Sequence, residues 1–222
     1  MTNSEKTKKY VSIAVFCAVA YICTLVFRIK VSFLTFDIKD SIITVGALFF
    51  GPMAGAVISL VAALLELTVS DTGLYGFIMN FVSSAIFAVV PAACYKYRKN
   101  LTTAIFGLTI GVVCMTAGML IMNLLITPFY MGVERSQVAS LIPTLLLPFN
   151  LIKGVFNAAF TVVLYKPISN AMHRTGILTR ENDANGYVLG KKSIIVAVIG
   201  AIVALACALI FIFVLKGSFE LV

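Results

Sequence analysis

The sequence predicts an all-α polytopic membrane protein, and three observations carry that reading. Of the 222 residues, 61% are hydrophobic and only 12% charged. With a mean hydropathy of +1.06, the chain lies far outside the range of soluble globular domains. Apolar runs near the ~20 residues needed to cross a bilayer recur along almost its whole length. The ~10-residue alternating segments of a membrane β-barrel are absent.

The elements follow in order. A first span covers about 10–27; the apolar run after "MTNSEKTKKY" lacks a clear small-residue cleavage site and reads as a retained helix. A short polar loop, "RIKVSFLTFDIKD", leads to a second span over about 40–50, which breaks at Gly51-Pro52. Proline suits the first turn of a helix, so the third span starts at Pro52 and runs to about 69. "SDTGLYG" is a turn by its Asp and glycines. A fourth helix covers about 74–95 and is closed by "KYRKN"; a fifth covers about 102–126 and passes into a loop, "TPFYMGVERSQ". The sixth runs from about 138 or 143 to 165, and an additional apolar run occupies 193–215. Three units result: a six-helix membrane domain (1–170), a polar cytoplasmic linker (171–192), and a C-terminal transmembrane helix with its tail (193–222). The two halves contain no matched pair of broken helices, as inverted-repeat transporters do.

Charge sets the orientation. With seven spans, the side of the N-terminus collects Lys6, Lys8, Lys9, Lys96, Arg98, Lys99, Lys166, Arg174, Arg180, Lys191 and Lys192. The other side collects Arg28, Lys30, Lys39, Arg135 and Lys216. Basic residues concentrate on cytoplasmic loops, so the N-terminus is expected inside and the C-terminus outside the cell membrane. The net charge of +8 then reports topology, and nucleic-acid binding is a poor reading of it. The five cysteines all sit in apolar runs without a C-x-x-C pair, and the single His173 lies in a basic stretch. No metal cluster or disulfide framework is expected.

Polar residues inside the apolar runs are the functional signal. Asn150, Lys153 and Asn157 fall at i, i+3 and i+7, on a face about 60° wide. Thr116, Asn123 and Thr127 form a second stripe on the fifth helix. Such stripes either hydrogen-bond helices together or line a shared cavity. A lysine at mid-membrane costs roughly 2.5–3.5 kcal/mol on insertion scales and needs acceptors or water, which points to a polar, ligand-filled cavity. Glu66, Asp37 and Asp40 are the nearest carboxylates, placed toward the outer helix ends. Aromatics around those ends, among them Phe33, Phe36, Tyr75, Phe81 and Phe149, are either interfacial residues or a stacking surface for a planar ligand. Ala14 and Ala18, four apart on the first helix, let another helix approach closely. The chain has no P-loop, no G-x-S-x-G and no H-E-x-x-H, so an enzyme is not expected, nor an ATPase of its own.

Several segments together resemble one family. "LPFNLIKG" (147–154), "MNLLITPFY" (122–130), "LTFDIKD" followed by "FFGPMAG", and "GFIMNF" (76–81) are similar to signatures of the substrate-binding (S) subunits of energy-coupling factor (ECF) vitamin transporters. The riboflavin-specific type is the most similar, and the resemblance covers about 8–170. It implies a six-helix bundle, to which the seventh helix is additional, with a vitamin pocket open to the outside. Partners implied are a transmembrane coupling subunit and two cytoplasmic ATPases, with Ala14 and Ala18 as the docking contact. It implies polar ligand contacts from Asn123, Asn150 and Lys153; the expected ligand site adds Asp37 and Asn80, and Phe36, Tyr75 and Phe149 as aromatic walls. No cofactor is implied beyond the transported flavin, whose polar atoms would offset the cost of the buried lysine. Ser41, Ala62-Ala63 and Ser83-Ser84 depart from the riboflavin-type pattern. The ligand expectation is therefore riboflavin or a close flavin, with another vitamin as the alternative. Two rival classes stay open: a stand-alone ion-coupled transporter with Glu66 and Lys153 as a titrating pair, and a membrane scaffold.

Overall fold

The computed structural model describes residues 3–177, 191–213 and 218–220. Most of the expected linker, Arg180 included, and the end of the last expected helix lie outside the described residues. The helix α1 spans Asn3–Val26 and buries Ser12, Phe16, Ala20 and Thr24 at four-residue spacing, so one stripe faces the bundle while Val11, Val15, Val19 and Ile22 face outward.

The stretch read as a polar loop is a β-hairpin: β1 (Arg28–Val31) pairs antiparallel with β2 (Leu34–Phe36), with Val31 opposite Leu34. Burial alternates along both strands. The strands are four and three residues long, too short for their period-2 pattern to stand out beside the helical runs. A two-residue turn joins them, and Ser32 takes φ +55° at its first central position, as a type II′ turn requires.

The helix α2 (Lys39–Phe50) is 12 residues long and rises about 18 Å, well short of the ~30 Å hydrocarbon core. Every residue from Lys39 to Leu48 is buried. Its N-terminus therefore begins inside the protein. Lys39, expected on the outer surface, is 1% exposed. At Gly51 (φ +94°) the chain reverses into α3 (Pro52–Glu66), which has proline in its first turn as expected and closes with a 3₁₀ turn, Leu67–Val69. The α2–α3 approach is close, since a Cβ on Gly55 would sit 2.6 Å from the Ala47 Cβ.

Helix α4 (Gly73–Tyr97) packs on α5 (Leu101–Met131), with Gly107 seated against Pro91. The Asn100 side chain caps α5 by accepting from the Thr103 amide at 2.7 Å. The helix continues past Pro128 and stops only at Gly132, in the left-handed region at φ +65°. The expected loop there is thus largely the last turn of α5, because proline near a helix end forfeits one hydrogen bond without breaking the rod. A short α6 (Arg135–Leu141), a π-helical stretch (Ile142–Leu146) and α7 (Leu147–Arg174) form one continuous helical path. Pro143, inside the π segment, and Pro148, just after it, remove two amide donors from the ladder, which accounts for the irregular turn there.

Among the described residues, five helical stretches are long and apolar enough to cross a membrane, and α2 completes the six-helix bundle. The additional helix α8 (Lys191–Phe213) runs along α7, where Gly200 meets the Ala159 carbonyl and Cys207 joins the core around Phe156. A final strand, β3 (Ser218–Glu220), adds to the free edge of β1, giving the order β2-β1-β3. The described C-terminal strand thus lies on the hairpin, at the opposite end of the bundle from the start of α1.

Candidate ligand-binding site

A cavity of about 260 Å³ opens at the hairpin end of the bundle, close to the lower bound of ~300 Å³ for small-molecule pockets. The hairpin supplies Lys30, Phe33 and Thr35 to its rim, and the turn before α4 supplies Ser70, Asp71 and Thr72. From α4 come Tyr75, Gly76, Met79, Asn80 and Ser83; from α5, Met119 and Tyr130; from α7, Phe149, Asn150 and Lys153. Aromatic and thioether groups share the lining with amide, hydroxyl and ammonium groups. The hairpin is tied down beside the opening. Lys30 bridges to Asp71 at 3.0 Å and the Arg28 guanidinium donates to the Val69 carbonyl at 3.1 Å. The Lys30 ammonium holds the Asp71 carboxyl below the usual carboxylate range, so Asp71 is ionised at neutral pH. Across the opening, the Phe33 and Tyr130 rings stand 6.3 Å apart.

Beneath the floor lies a buried cluster of five charges. Lys153 donates to Asp37 Oδ2 at 3.1 Å and to the Thr35 carbonyl at 3.3 Å, and lies 3.6 Å from Asp40 Oδ2. Asp40 in turn accepts from the Ser84 hydroxyl, and Asp37 Oδ1 accepts from the Lys39 amide at 3.2 Å. The Lys39 ammonium bonds Glu66 and stands 3.9 Å from Asp37 Oδ2. Asn157 ties this cluster to the backbone. Its Nδ2 donates to the Asp37 and Lys153 carbonyls, and its Oδ1 accepts from the Ser41 amide and hydroxyl. All five charged residues are 5% exposed or less. Buried charges persist only when paired and hydrogen-bonded, and this set is both.

Two expectations are corrected by this geometry. Asp37 and Asp40 pair with Lys153 within the protein, so the ligand's polar atoms are not alone in offsetting the cost of burying it. The two carboxylates reach it because α2 begins deep in the bundle rather than at the outer membrane face. Glu66 pairs with Lys39 instead of Lys153, so the titrating Glu66–Lys153 pair on which the ion-coupled alternative rested is not formed.

Of the eight residues expected at the ligand, five line one cavity: Tyr75, Asn80, Phe149, Asn150 and Lys153. Three lie off its wall. Asp37 sits behind Lys153 as its counter-ion. Phe36 faces inward against Phe156, with ring centroids 4.9 Å apart. Asn123 is fully buried, donating to the Met119 carbonyl and accepting from Thr127. Phe81 also lies off the wall and pairs with Phe77. Sequence reasoning passed over Ser83, Met79 and Met119, although Gly76, Asn80 and Ser83 repeat at i, i+4 and i+7 and mark one face of α4. Ala14 and Ala18 are exposed on the outer face of α1. Among the described residues, no group of three metal-ligating side chains comes together.

Comparison with known proteins agrees with this architecture. The family model described as "ECF transporter, substrate-specific component" matches residues 8–165. The riboflavin transporter RibU of Staphylococcus aureus (strain TCH60) is 29% identical over 182 residues, covering 78% of this chain and 96% of that protein. The riboflavin transporter FmnP of Bacillus subtilis (strain 168) is 26% identical over 175 residues, covering 72% and 92%. A solved S component of a bacterial ECF transporter superposes with a TM-score of 0.65 at 28% identity, covering 75% of this chain and 98% of its own.

Proposed function

Since the chain belongs to the family of ECF transporter substrate-specific components, we propose that it captures riboflavin or a closely related flavin outside the cell for ATP-driven import. The observation that carries this reading is the cavity itself. Phe33, Tyr75, Tyr130 and Phe149 offer walls for a planar ring system, and Asn80, Ser83, Asn150 and Lys153 offer a polar edge. A flavin has that shape, with an apolar flat body and a rim of carbonyl and ring-nitrogen acceptors.

Lys153 contributes by exchange. An ammonium has three N–H groups, and the protein supplies two carboxylates and the Thr35 carbonyl. The neutral carbonyl is the weakest of these partners, so a ligand acceptor takes its place while both aspartates keep the charge paired. Asn123, off the cavity wall, acts within α5, where it bonds Met119, a residue of the wall, and Thr127. Release of substrate to the cytoplasm requires partners: a coupling subunit and two ATPases, consistent with the family and with the absence of any nucleotide-binding loop in the sequence. Ala14 and Ala18 form part of the exposed small-residue face on α1 that fits such a partner helix.

Titration of the detergent-purified protein with riboflavin and with FMN, read by quenching of flavin fluorescence, tests this reading. Saturable quenching whose midpoint rises about tenfold in Asn150→Ala and that is lost in Lys153→Met, with folded protein shown by circular dichroism, is the expected result. Folded wild-type protein that quenches neither flavin overturns it and moves the search to other vitamins.

A further inference from the structure

The buried cluster contains one oxygen that two cations can claim. Asp37 Oδ2 lies 3.1 Å from the Lys153 ammonium and 3.9 Å from the Lys39 ammonium. Lys153 lines the cavity and Lys39 does not. What holds Lys39 back is Glu66, which takes its ammonium directly. Both side chains are nearly sealed from solvent, Lys39 at 2% and Glu66 at 6%, so water cannot substitute for either partner. A desolvated ammonium that loses its carboxylate must take the next one within reach, and for Lys39 that is Asp37.

We propose that Glu66 is a positioning residue for ligand recognition: by occupying Lys39 it reserves Asp37 for Lys153 and so fixes the Lys153 ammonium at the cavity floor. Glu66 belongs to α3, which contributes nothing to the cavity wall, so its influence on the ligand runs entirely through Lys39 and Asp37. The same arrangement gives α3 a link to the site although Ala62 and Ala63 carry no polar groups toward it. This inference rests on the flavin-binding reading above.

The test is a double-substitution cycle read by riboflavin titration, with thermal unfolding measured in parallel. Glu66→Gln keeps the size and a hydrogen-bond acceptor but releases Lys39 onto Asp37. Affinity for riboflavin is expected to fall about tenfold, within the range of coupling between neighbouring charges. Adding Lys39→Met removes the competing cation, so Lys39→Met/Glu66→Gln is expected to regain most of the lost affinity. Glu66 acting only as packing predicts no such rescue. Unchanged affinity in Glu66→Gln, or a double variant no better than the single one, overturns the proposal. Should Glu66→Gln fail to fold, Lys39→Met/Glu66→Gln decides, since it leaves neither a stranded charge nor a competing cation: near-normal affinity supports the relay, and affinity lost in the folded double variant overturns it. Wild-type protein that binds no flavin sinks the functional reading itself, an outcome distinct from wild-type binding with an indifferent Glu66→Gln.

Discussion

At the scale of single residues, Lys153 is held by Asp37, Asp40 and Thr35 in a place where an unpaired ammonium could not persist. Removing one partner of a buried pair costs about 3–5 kcal/mol, because the other charge is left behind. Asp37→Asn is therefore expected to lower the unfolding temperature of the detergent-purified protein markedly, whether or not ligand is present. Asn150 is a different case. It lines the cavity, carries no charge, and already donates to the Leu146 carbonyl at 2.7 Å, leaving its amide oxygen and second N–H for a ligand. Asn150→Ala should leave stability within about 1 kcal/mol of wild type while weakening riboflavin about tenfold, the worth of one or two buried hydrogen bonds. Equal losses of stability and affinity would instead make Asn150 a structural residue.

At the scale of elements, the hairpin and the α2–α3 turn make opposite predictions for glycine. Ser32 holds a left-handed backbone at φ +55°, a conformation in which glycine meets no Cβ penalty. Ser32→Gly should raise thermal stability slightly, by at most about 1 kcal/mol, since relief of strain is partly offset by a more flexible unfolded chain. Gly55 lies where α2 and α3 touch, and an added Cβ would come within 2.6 Å of the rigid Ala47 Cβ. Gly55→Ala must separate the two helices and should cost about 1–3 kcal/mol, the usual penalty of overpacking, visible as a lower unfolding temperature. That separation would also disturb the Lys39–Glu66 pair, which bridges the same two helices.

At the scale of the whole molecule, the cavity sits at the hairpin end and the basic residues Lys96, Arg98, Lys99 and Arg174 at the other. The positive-inside bias predicts a cavity that faces outward. A membrane-impermeant thiol reagent applied to intact cells should label Asp71→Cys above the native cysteine background, and should label Lys99→Cys only after permeabilisation. The reverse pattern would face the cavity to the cytoplasm and contradict capture from outside. The family match stops at residue 165, so α8 and β3 lie beyond it, yet both are built into this molecule: α8 along α7, and β3 on the hairpin that borders the cavity.

The sequence by itself determined the helical membrane class, the start of α3 at Pro52, the family resemblance and the polar Asn150–Lys153 face. Those features are local: hydropathy over a span, proline at a first turn, polar residues at helical spacing. It also named Tyr75, Asn80 and Phe149, which line the same cavity, Asn80 and Phe149 from segments that resemble the family's and Tyr75 from its place at a helix end. Only the tertiary structure decided what each polar group faces. Asn123 and Asn150 look alike in sequence, each a polar residue in an apolar helix, but one turns into the protein and the other onto the cavity. Lys39 reads as a surface charge until α2 proves too short to reach the surface. Glu66 reads as a partner for Lys153 until Lys39 stands between them. Pairing among buried charges depends on helix length and on which helices are neighbours, and neither is written in the spacing along any one helix.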